Sequence, residues 1–206
     1  MGSLAILGFG GHGRVVADCA QMAGWAEITA FDDCPSPATH GPWRAEGTGS
    51  DLLARLSEFE GVVVGIGDNT TRLDWQRQLI GQGARVVSVI HPKATVSSYA
   101  FLGVGTVVFA GAVVNIGARL GQAVIINTGA TVDHDGNLAD GVHVSPGAHL
   151  AGGVRVGEAS WVGIGAAVRE GVSIGSRVRI GAGAVVVKHV DDGLTIIGNP
   201  ARLLEK

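Results

Sequence analysis

The second half of the chain carries an aliphatic residue at every sixth position. The series begins at Ile90 and runs without exception to Val186, which makes 17 positions. A period of six fits neither the 3.6-residue turn of an α-helix nor the two-residue alternation of a strand. It is typical of a short strand followed by a corner, in which three units close one triangular coil of about 18 residues. We expect between five and six coils, stacked about 4.8 Å apart, with the aliphatic side chains inside the prism.

Small residues and glycines follow the same period. Residues four places after the aliphatic position are mostly small or β-branched, as at Ala112 and Ala130. Glycine recurs at the second and fourth places, as at Gly163 and Gly165. The 34 glycines and 5% aromatic content lie far from average usage, and the glycines lack the every-third period of collagen. The composition therefore agrees with tight corners in a repeat.

The first 88 residues alternate predicted strands and helices. We expect strands over 3–8, 27–32, 61–66 and 85–90, and helices over 14–23, 51–59 (capped by Ser50) and about 70–83. This alternation predicts a small α/β domain with a parallel sheet, about half of a dinucleotide-binding (Rossmann-like) fold. Ligands of such folds bind at the carboxyl ends of the strands.

A glycine-rich turn follows the first predicted strand. Gly8, Gly10 and Gly13 match the G-x-G-x-x-G pattern, and Asp32 and Asp33 follow about twenty residues later. One reading is an NAD site, although only one mononucleotide-sized unit is present. A second is a turn that merely lets helix and strand pack closely. We favour a nucleotide or nucleotide-sugar phosphate at the helix N-terminus, with the aspartates available to the base or ribose.

Charge and cysteine content exclude several classes of partner. With 15 basic and 18 acidic residues, the net charge of −3 predicts binding to neither nucleic acid nor an anionic membrane. The apolar stretches are too often interrupted for a membrane-spanning helix, and residues 4–7 read as a buried strand, not a signal peptide. Cys19 and Cys34 are expected to be reduced thiols of a cytoplasmic protein.

The motifs together carry a family resemblance. A Gly10-Gly11-His12 turn, the Asp32-Asp33 pair, Gly67-x-Asn69 and then the hexad series resemble the sialic acid O-acetyltransferase and bacterial nucleotide-sugar N-acetyltransferase family of the hexapeptide-repeat superfamily. The resemblance spans nearly the whole chain, including residues 198–202. It implies a left-handed parallel β-helix, a homotrimer, acetyl-CoA as co-substrate, and a role in surface polysaccharide biosynthesis.

The resemblance also implies a division of labour along the chain. Residues 1–88 would bind the nucleotide sugar, 89–190 would form the acetyltransferase β-helix, and 191–206 would be a tail that borders CoA. Substrate contacts are expected from these residues of the first region: Gly10, Gly11, His12, Asp32, Asp33, Gly67 and Asn69.

His134 is the candidate general base for acetyl transfer. It stands outside the interior position of its hexad and is followed by Asp135, which would hold the imidazole tautomer and raise its basicity. By resemblance, this is the place of the catalytic histidine and its acidic helper, and Asn127 is the place of an active-site asparagine. No pattern for a covalent nucleophile is present, so the acceptor amine is expected to attack acetyl-CoA directly in a ternary complex.

A second group of residues is expected to border the cofactor. Adding 18 to His143 gives Trp161, and adding 18 again gives Arg179, so the three should form a column on the outside of the prism. The resemblance places acetyl-CoA beside His143. Ile164, Gly181 and Gly183 are further candidate contacts with CoA.

Three alternative functions remain open at this point. The acceptor could be the hydroxyl of a sialic acid-like sugar, or the chain could be a non-catalytic scaffold that binds nucleotide sugars. A zinc site from His134, His143 and His149 would make a carbonic anhydrase-like enzyme, but spacings of nine and six residues spread these histidines over different sides of the prism. No metal is expected.

Overall fold

The fold is described from a computed structural model for residues 2–34 and 41–204. These residues divide into two compact units, residues 1–92 and 93–206. The first unit is an α/β region, as the alternating pattern predicts, and the second is a parallel β-solenoid.

The first unit has a three-stranded parallel sheet in the order β2-β1-β3, with helices between the strands. Its strands and helices are β1 (Ser3–Leu7), α1 (Gly11–Met22), β2 (Glu27–Phe31), α2 (Gly49–Ala54) with a 3₁₀ turn at Leu56–Glu58, β3 (Gly61–Val64), α3 (Asn69–Gly81) and the short β4 (Val89–Ile90).

The burial of β1 and β3 shows that the sheet is covered on both faces. Residues 4–7 of β1 and 61–64 of β3 are buried throughout, as expected for parallel strands covered on both faces. The strands run in register, with Leu7 opposite both Phe31 and Val64. Because all three strands end at the same edge, the turns that follow them come together there.

Local structure differs from the sequence prediction at several places. The helix expected over 51–59 is instead α2 over Gly49–Ala54, followed by the 3₁₀ turn at Leu56–Glu58. Helix α1 begins at Gly11, three residues earlier than expected, and the last predicted strand is reduced to Val89–Ile90. Helix α2 is capped by Thr48, not Ser50. The Thr48 side chain accepts from the Asp51 backbone N–H, while the Asp51 carboxylate accepts from the Thr48 N–H. This reciprocal capping box satisfies two donors, which Ser50 cannot do from the first turn.

The second unit is a triangular prism with three faces, and each face is a sheet of short strands that run parallel, apart from the antiparallel strand at Arg202–Leu203. The first face contains β5 (Thr95–Val96), β8 (Val113–Val114), β11 (Thr131–Val132), β14 (His149–Leu150), β17 (Ala167–Val168) and β20 (Val185–Val186). The second contains β6 (Phe101–Leu102), β9 (Arg119–Leu120), β12 (Asn137–Leu138), β15 (Arg155–Val156) and β18 (Ser173–Ile174). The third contains β7 (Val107–Val108), β10 (Ile125–Ile126), β13 (His143–Val144), β16 (Trp161–Val162), β19 (Arg179–Ile180), β21 (Thr195–Ile197) and β22 (Arg202–Leu203).

Consecutive coils are offset by 18 residues. Thr131, for example, pairs with Val113 below it and with His149 above it. From Val108 to Val186 the aliphatic residues of the six-residue series form one buried core, and the small residues beside them, such as Ala130 and Ala148, are fully buried too. Val96 and Leu102 pack against this core but are only partly buried, and Ile90, the first of the series, is exposed. The predicted repeat and its inward-facing side chains are thus confirmed. The predicted tail enters the same architecture, since β21 pairs with β19 and β22 returns antiparallel to β21.

The corners between faces are named by the faces that they join. Corner A joins the first face to the second and includes residues 115–118, 133–136 and 151–154. Corner B joins the second to the third and includes residues 139–142 and 157–160. Corner C joins the third to the first and includes residues 127–130, 145–148 and 163–166.

Glycine occurs at two places of the hexad for two different reasons. At the fourth place the backbone has positive φ at every sixth residue from Gly105 to Gly183, and four of these corners carry another residue: Ala123, Asp135, Ala159 and Arg177. At the second place the reason is space. A Cβ on Gly157 would lie 2.5 Å from the carbonyl carbon of Gly175 in the next coil.

This distinction predicts unequal responses to substitution two residues apart in one corner. Gly157→Ala forces two coils apart, so we expect a loss of about 1–3 kcal/mol in the free energy of unfolding. Ala159→Gly relieves a left-handed alanine but adds chain entropy to the unfolded state, so we expect a change below about 1 kcal/mol. Urea denaturation measures both, and equal losses would contradict this account of the corner.

Candidate active site

Corner A presents a histidine–aspartate pair to solvent. His134 and Asp135 follow β11, and Nδ1 of His134 lies 2.8 Å from Oδ2 of Asp135. The side chains are 60% and 74% exposed, respectively. The outward direction expected for His134 is therefore found, and Nδ1 is held by the carboxylate. Nε2 is the ring nitrogen left to face an incoming group.

The environment of His134 favours its protonated form. The hydrogen bond that Nδ1–H of His134 donates to Asp135 raises the pKa of His134 above its usual value; desolvation opposes this, and the charges of Asp133 and Asp135 add to it. Asp133 is itself fixed, because its Oδ1 accepts from the His134 backbone N–H at 2.8 Å and from Nδ2 of Asn115 at 2.9 Å. These bonds lower the pKa of Asp133. The histidine is thus a stronger base than a free imidazole.

Asp135 occupies a backbone conformation that most residues avoid. Its φ is 58°, at a corner place where glycine is usual. Aspartate tolerates the left-handed region better than most residues, but glycine adopts it more readily. The backbone alone therefore gives no reason for an aspartate here, whereas the bond to His134 does.

A pocket of ≈ 480 Å³ lies along corner C and the third face. Six of the residues predicted from the sequence line it, namely Asn127, His143, Trp161, Ile164, Arg179 and Gly181. Ser145 and Pro146 line it as well. Gly183 is not among the lining residues; it lies at a positive-φ corner two places after Gly181.

The predicted outer column is present in this pocket. His143 pairs with Trp161, and Trp161 with Arg179, each one coil apart. The rings of His143 and Trp161 are in contact, with centroids 4.4 Å apart and planes tilted by 39°. His143 is buried, Trp161 is half-buried and Arg179 is exposed. The pocket thus grades from a buried imidazole through an aromatic surface to an exposed cation.

Asn127 lies with the pocket and not with the histidine–aspartate pair. Its Nδ2 is 3.0 Å from Nε2 of His143, and its Oδ1 accepts from the Thr128 N–H. His134 lies at corner A, on the far side of the first face from corner C. The structure therefore brings Asn127 to the candidate cofactor residues and separates it from His134 within one chain.

The first unit has its own pocket at the carboxyl edge of the sheet. Its volume is ≈ 360 Å³, and six predicted substrate contacts line it: Gly10, Gly11, His12, Asp32, Asp33 and Gly67. Asn69 does not line it. That residue is buried, and its Oδ1 accepts from Arg72, whose guanidinium also donates to the carbonyls of Ile66 and Gly67.

The glycine-rich turn combines packing with open space. A Cβ on Gly13 would overlap the carbonyl of Gly8, so this glycine allows α1 to pack against the turn. By contrast, a Cβ on Gly10 or Gly11 would meet nothing within 4 Å. The packing explanation therefore accounts for Gly13, while the other two glycines leave room for a ligand.

The two aspartates of this pocket also hold its walls. Asp32 accepts from the Phe9 and Cys34 backbone N–H groups, and Asp33 accepts from the Gly49 N–H at the start of α2. Burial, with the nearby charge of Arg72, lowers the pKa of His12 to about 4, so His12 is neutral at pH 7. A neutral imidazole can accept a hydrogen bond from a ligand.

Sequence reasoning missed several lining residues. Thr71 and Trp75 lie four apart on α3 and face the first unit's pocket together, a spacing that would have revealed them. Arg72 is 1% exposed, and burial lowers its pKa to about 10, so it stays charged at pH 7. No sequence signal marks an arginine as buried.

The side chains of metal-ligating type are spread over the described part of the chain. Across residues 2–34 and 41–204, no three His, Cys, Asp or Glu side chains are arranged to hold a metal ion. His134 is at corner A, His143 on the third face and His149 on the first. None of the helices in those ranges has the length and apolar character needed to cross a bilayer.

Known proteins resemble the chain over both units. The family described as PglD N-terminal domain matches residues 3–79, and Bacterial transferase hexapeptide (six repeats) matches residues 153–188. No curated protein sequence matches significantly.

Solved structures match nearly the full length. The acetyltransferase domain of PglB from Neisseria gonorrhoeae, in complex with acetyl coenzyme A, is 43% identical with a TM-score of 0.94 and 98% coverage of both chains. A variant of perosamine N-acetyltransferase from Caulobacter crescentus with one histidine changed to asparagine, in complex with CoA and GDP-perosamine, is 37% identical with a TM-score of 0.94, covering 99% of this chain and 97% of that one. WeeI from Acinetobacter baumannii, at 22% identity and a TM-score of 0.87, shares the fold.

Fold, repeat and full-length similarity agree. The chain belongs to the hexapeptide-repeat family of nucleotide-sugar N-acetyltransferases that carry a PglD-type N-terminal domain.

Proposed function

We propose that this protein transfers the acetyl group of acetyl-CoA to the amino group of a nucleotide-linked 4-amino sugar. The observation that carries the proposal is the exposed His134–Asp135 pair, whose carboxylate holds Nδ1 and leaves Nε2 as the nitrogen that can accept a proton. A general base must be neutral before it accepts a proton, and it must lie within hydrogen-bond reach of the amine. Nε2 would take the amine proton as the nitrogen attacks the thioester carbonyl, and the CoA thiolate would leave.

The pocket of corner C fits the proposed cofactor. Trp161 offers an aromatic surface and Ile164 an apolar one, while Arg179 supplies positive charge for phosphate. Structures of the related PglB domain and of perosamine N-acetyltransferase hold acetyl-CoA or CoA. We therefore assign acetyl-CoA to His143, Trp161, Ile164 and Gly181, and keep Gly183 as a neighbouring backbone contact.

The pocket of the first unit is assigned to the nucleotide part of the acceptor. Gly10 and Gly11 leave space at the N-terminus of α1, where backbone N–H groups favour a phosphate. Asp32, Asp33, His12 and Gly67 offer polar contacts, and Asn69 would act by holding Arg72. Perosamine N-acetyltransferase is recorded with GDP-perosamine bound, which supports a nucleotide-linked amino sugar over an NAD cofactor.

We further propose a homotrimer in which neighbouring chains share each site. Corner A carries the base, corner C carries the cofactor pocket, and the first face lies between them. The outward side chains of that face include no Lys, Arg, Asp or Glu: Thr95, Val113, Thr131, His149, Ala167 and Val185. The second face presents Arg119 and Arg155 instead. A ring of three copies with the first face inward would place one chain's corner A against its neighbour's corner C.

Location and competing acceptors follow from the same proposal. Cys19 and Cys34 form no disulfide, which fits a reducing compartment, so we propose the cytoplasm. An O-acetyltransferase of a sialic acid-like sugar would use the same base, and a non-catalytic scaffold would bind nucleotide sugar without releasing CoA. Assays with UDP-, GDP- and CMP-linked sugars, with and without a 4-amino group, distinguish the three.

Removing the base should stop turnover without preventing binding. We expect His134→Ala to lower kcat by about 10²- to 10⁴-fold, with little change in the KM of either substrate. Thiol release from acetyl-CoA with UDP- and GDP-linked 4-amino sugars measures the rate. His189→Asn, which alters an exposed histidine in the last coil, is the matched control. Normal turnover by His134→Ala would refute the mechanism.

The dependence of kcat on pH should show the effect of Asp135 on the pKa of His134. The base works when neutral, so wild-type kcat should fall as the pH drops through a pKa raised by Asp135. Asp135→Asn removes the charge but tolerates the left-handed corner, so the acidic limb should move to lower pH and the plateau rate should decrease. Asp133→Asn should shift the limb less, in the same direction. An unmoved limb in Asp135→Asn would show that the carboxylate does not tune the base.

Mixing two inactive variants tests the shared site. His134→Ala lacks the base, and Ile164→Glu places a carboxylate in the cofactor pocket. If each site combines corner A of one chain with corner C of the next, about a quarter of sites are intact after the two are unfolded and refolded together at equal amounts. Sites contained in one chain would regain no activity.

A further inference from the structure

Gly152 stands directly above the proposed base. Consecutive coils are offset by 18 residues, so His134 lies between Ile116 and Gly152 at corner A. The equivalent residues of other coils carry side chains, as at Ser98, Ile116 and Glu170. Glycine occurs in this series at the position above the histidine.

Backbone conformation does not require this glycine. Its neighbour Gly153 has a φ of 67°, which favours glycine at that corner place, whereas Gly152 has no positive φ. Gly117, one coil below Asp135, also has a positive φ, of 75°, so its identity is explained by conformation. Gly152 therefore needs another explanation.

Space for the imidazole supplies it. A Cβ on Gly152 would overlap Nε2 of His134, and it would lie 2.6 Å from Cε1 and 3.1 Å from Cδ2. The ring thus lies across the bare Cα of Gly152. In this orientation Nδ1 reaches Oδ2 of Asp135 at 2.8 Å. A side chain above the ring would have to push it away from that contact.

We infer that Gly152 is a positioning residue for acetyl transfer, whose missing side chain sets the orientation of His134. The inference depends on the proposed function, because it assigns Gly152 no role except through the base. Displacing a catalytic group by about 1 Å can cost about 10²-fold in rate.

The variant Gly152→Ala tests this directly. The clash is with the end of an exposed side chain, so the melting temperature should stay close to that of the wild type. We expect kcat to fall by about 10²-fold, with the KM values of acetyl-CoA and the 4-amino sugar nearly unchanged. The acidic limb of the pH profile should move to lower pH, because the displaced ring loses its bond to Asp135. Glu170→Ala, one coil further along the same corner, should leave rate and profile unchanged.

A double variant separates positioning from any independent role. If Gly152 acts only through the histidine, adding Gly152→Ala to His134→Ala should cause no further loss of the residual rate. A further loss of the same factor would overturn the inference, as would normal kcat and an unmoved profile in Gly152→Ala. These results differ from failure of the proposed function, in which wild-type protein releases no CoA or His134→Ala keeps full activity.

Discussion

The hydrogen bonding of each coil to the next is the constraint on which the rest of the second unit depends. Residues of a face lie beside the residues 18 positions away, except where β21 pairs with β19 at an offset of 16, so side chains of similar place form columns along the prism. Columns bring His143, Trp161 and Arg179 together without any turn or helix designed for them. The same rule stacks Ile116, His134 and Gly152. Neighbouring side chains of a column on this scaffold are therefore one coil apart.

The active site departs from the repeat at the fourth place of one hexad, where glycine is usual and Asp135 stands instead. Ala123 and Ala159 show that the corner backbone accepts a side chain at positive φ, so the conformation of Asp135 alone is no sign of function. What distinguishes Asp135 is its bond to His134. Gly152 is the reverse case, a glycine where the backbone would accept any residue. Both exceptions surround one imidazole, one by adding a carboxylate and the other by removing a side chain.

The sequence predicts the columns because their spacing is arithmetic. It predicts the outward direction of His134 and the grouping of His143 with Trp161 for the same reason. It does not predict that Asn127 joins His143, since that contact depends on how two side chains turn at a corner. In the first unit, the cap at Thr48 was missed because Ser50 is an equally good capping residue by type. The burial of Arg72 was missed because a single charged residue on a helix normally faces solvent.

The closure of each coil by three hexads also limits how such a chain can change its length. Insertion or deletion of six residues between two coils would carry everything beyond it to the next corner, so a change between residues 116 and 152 would separate His134 from Ile116 or from Gly152. A change of 18 residues would keep all three corners aligned and move later residues by one coil, about 4.8 Å. The distance between base and cofactor pocket along the prism can thus vary in evolution only in whole coils. The height of one coil is the smallest step by which that distance can change.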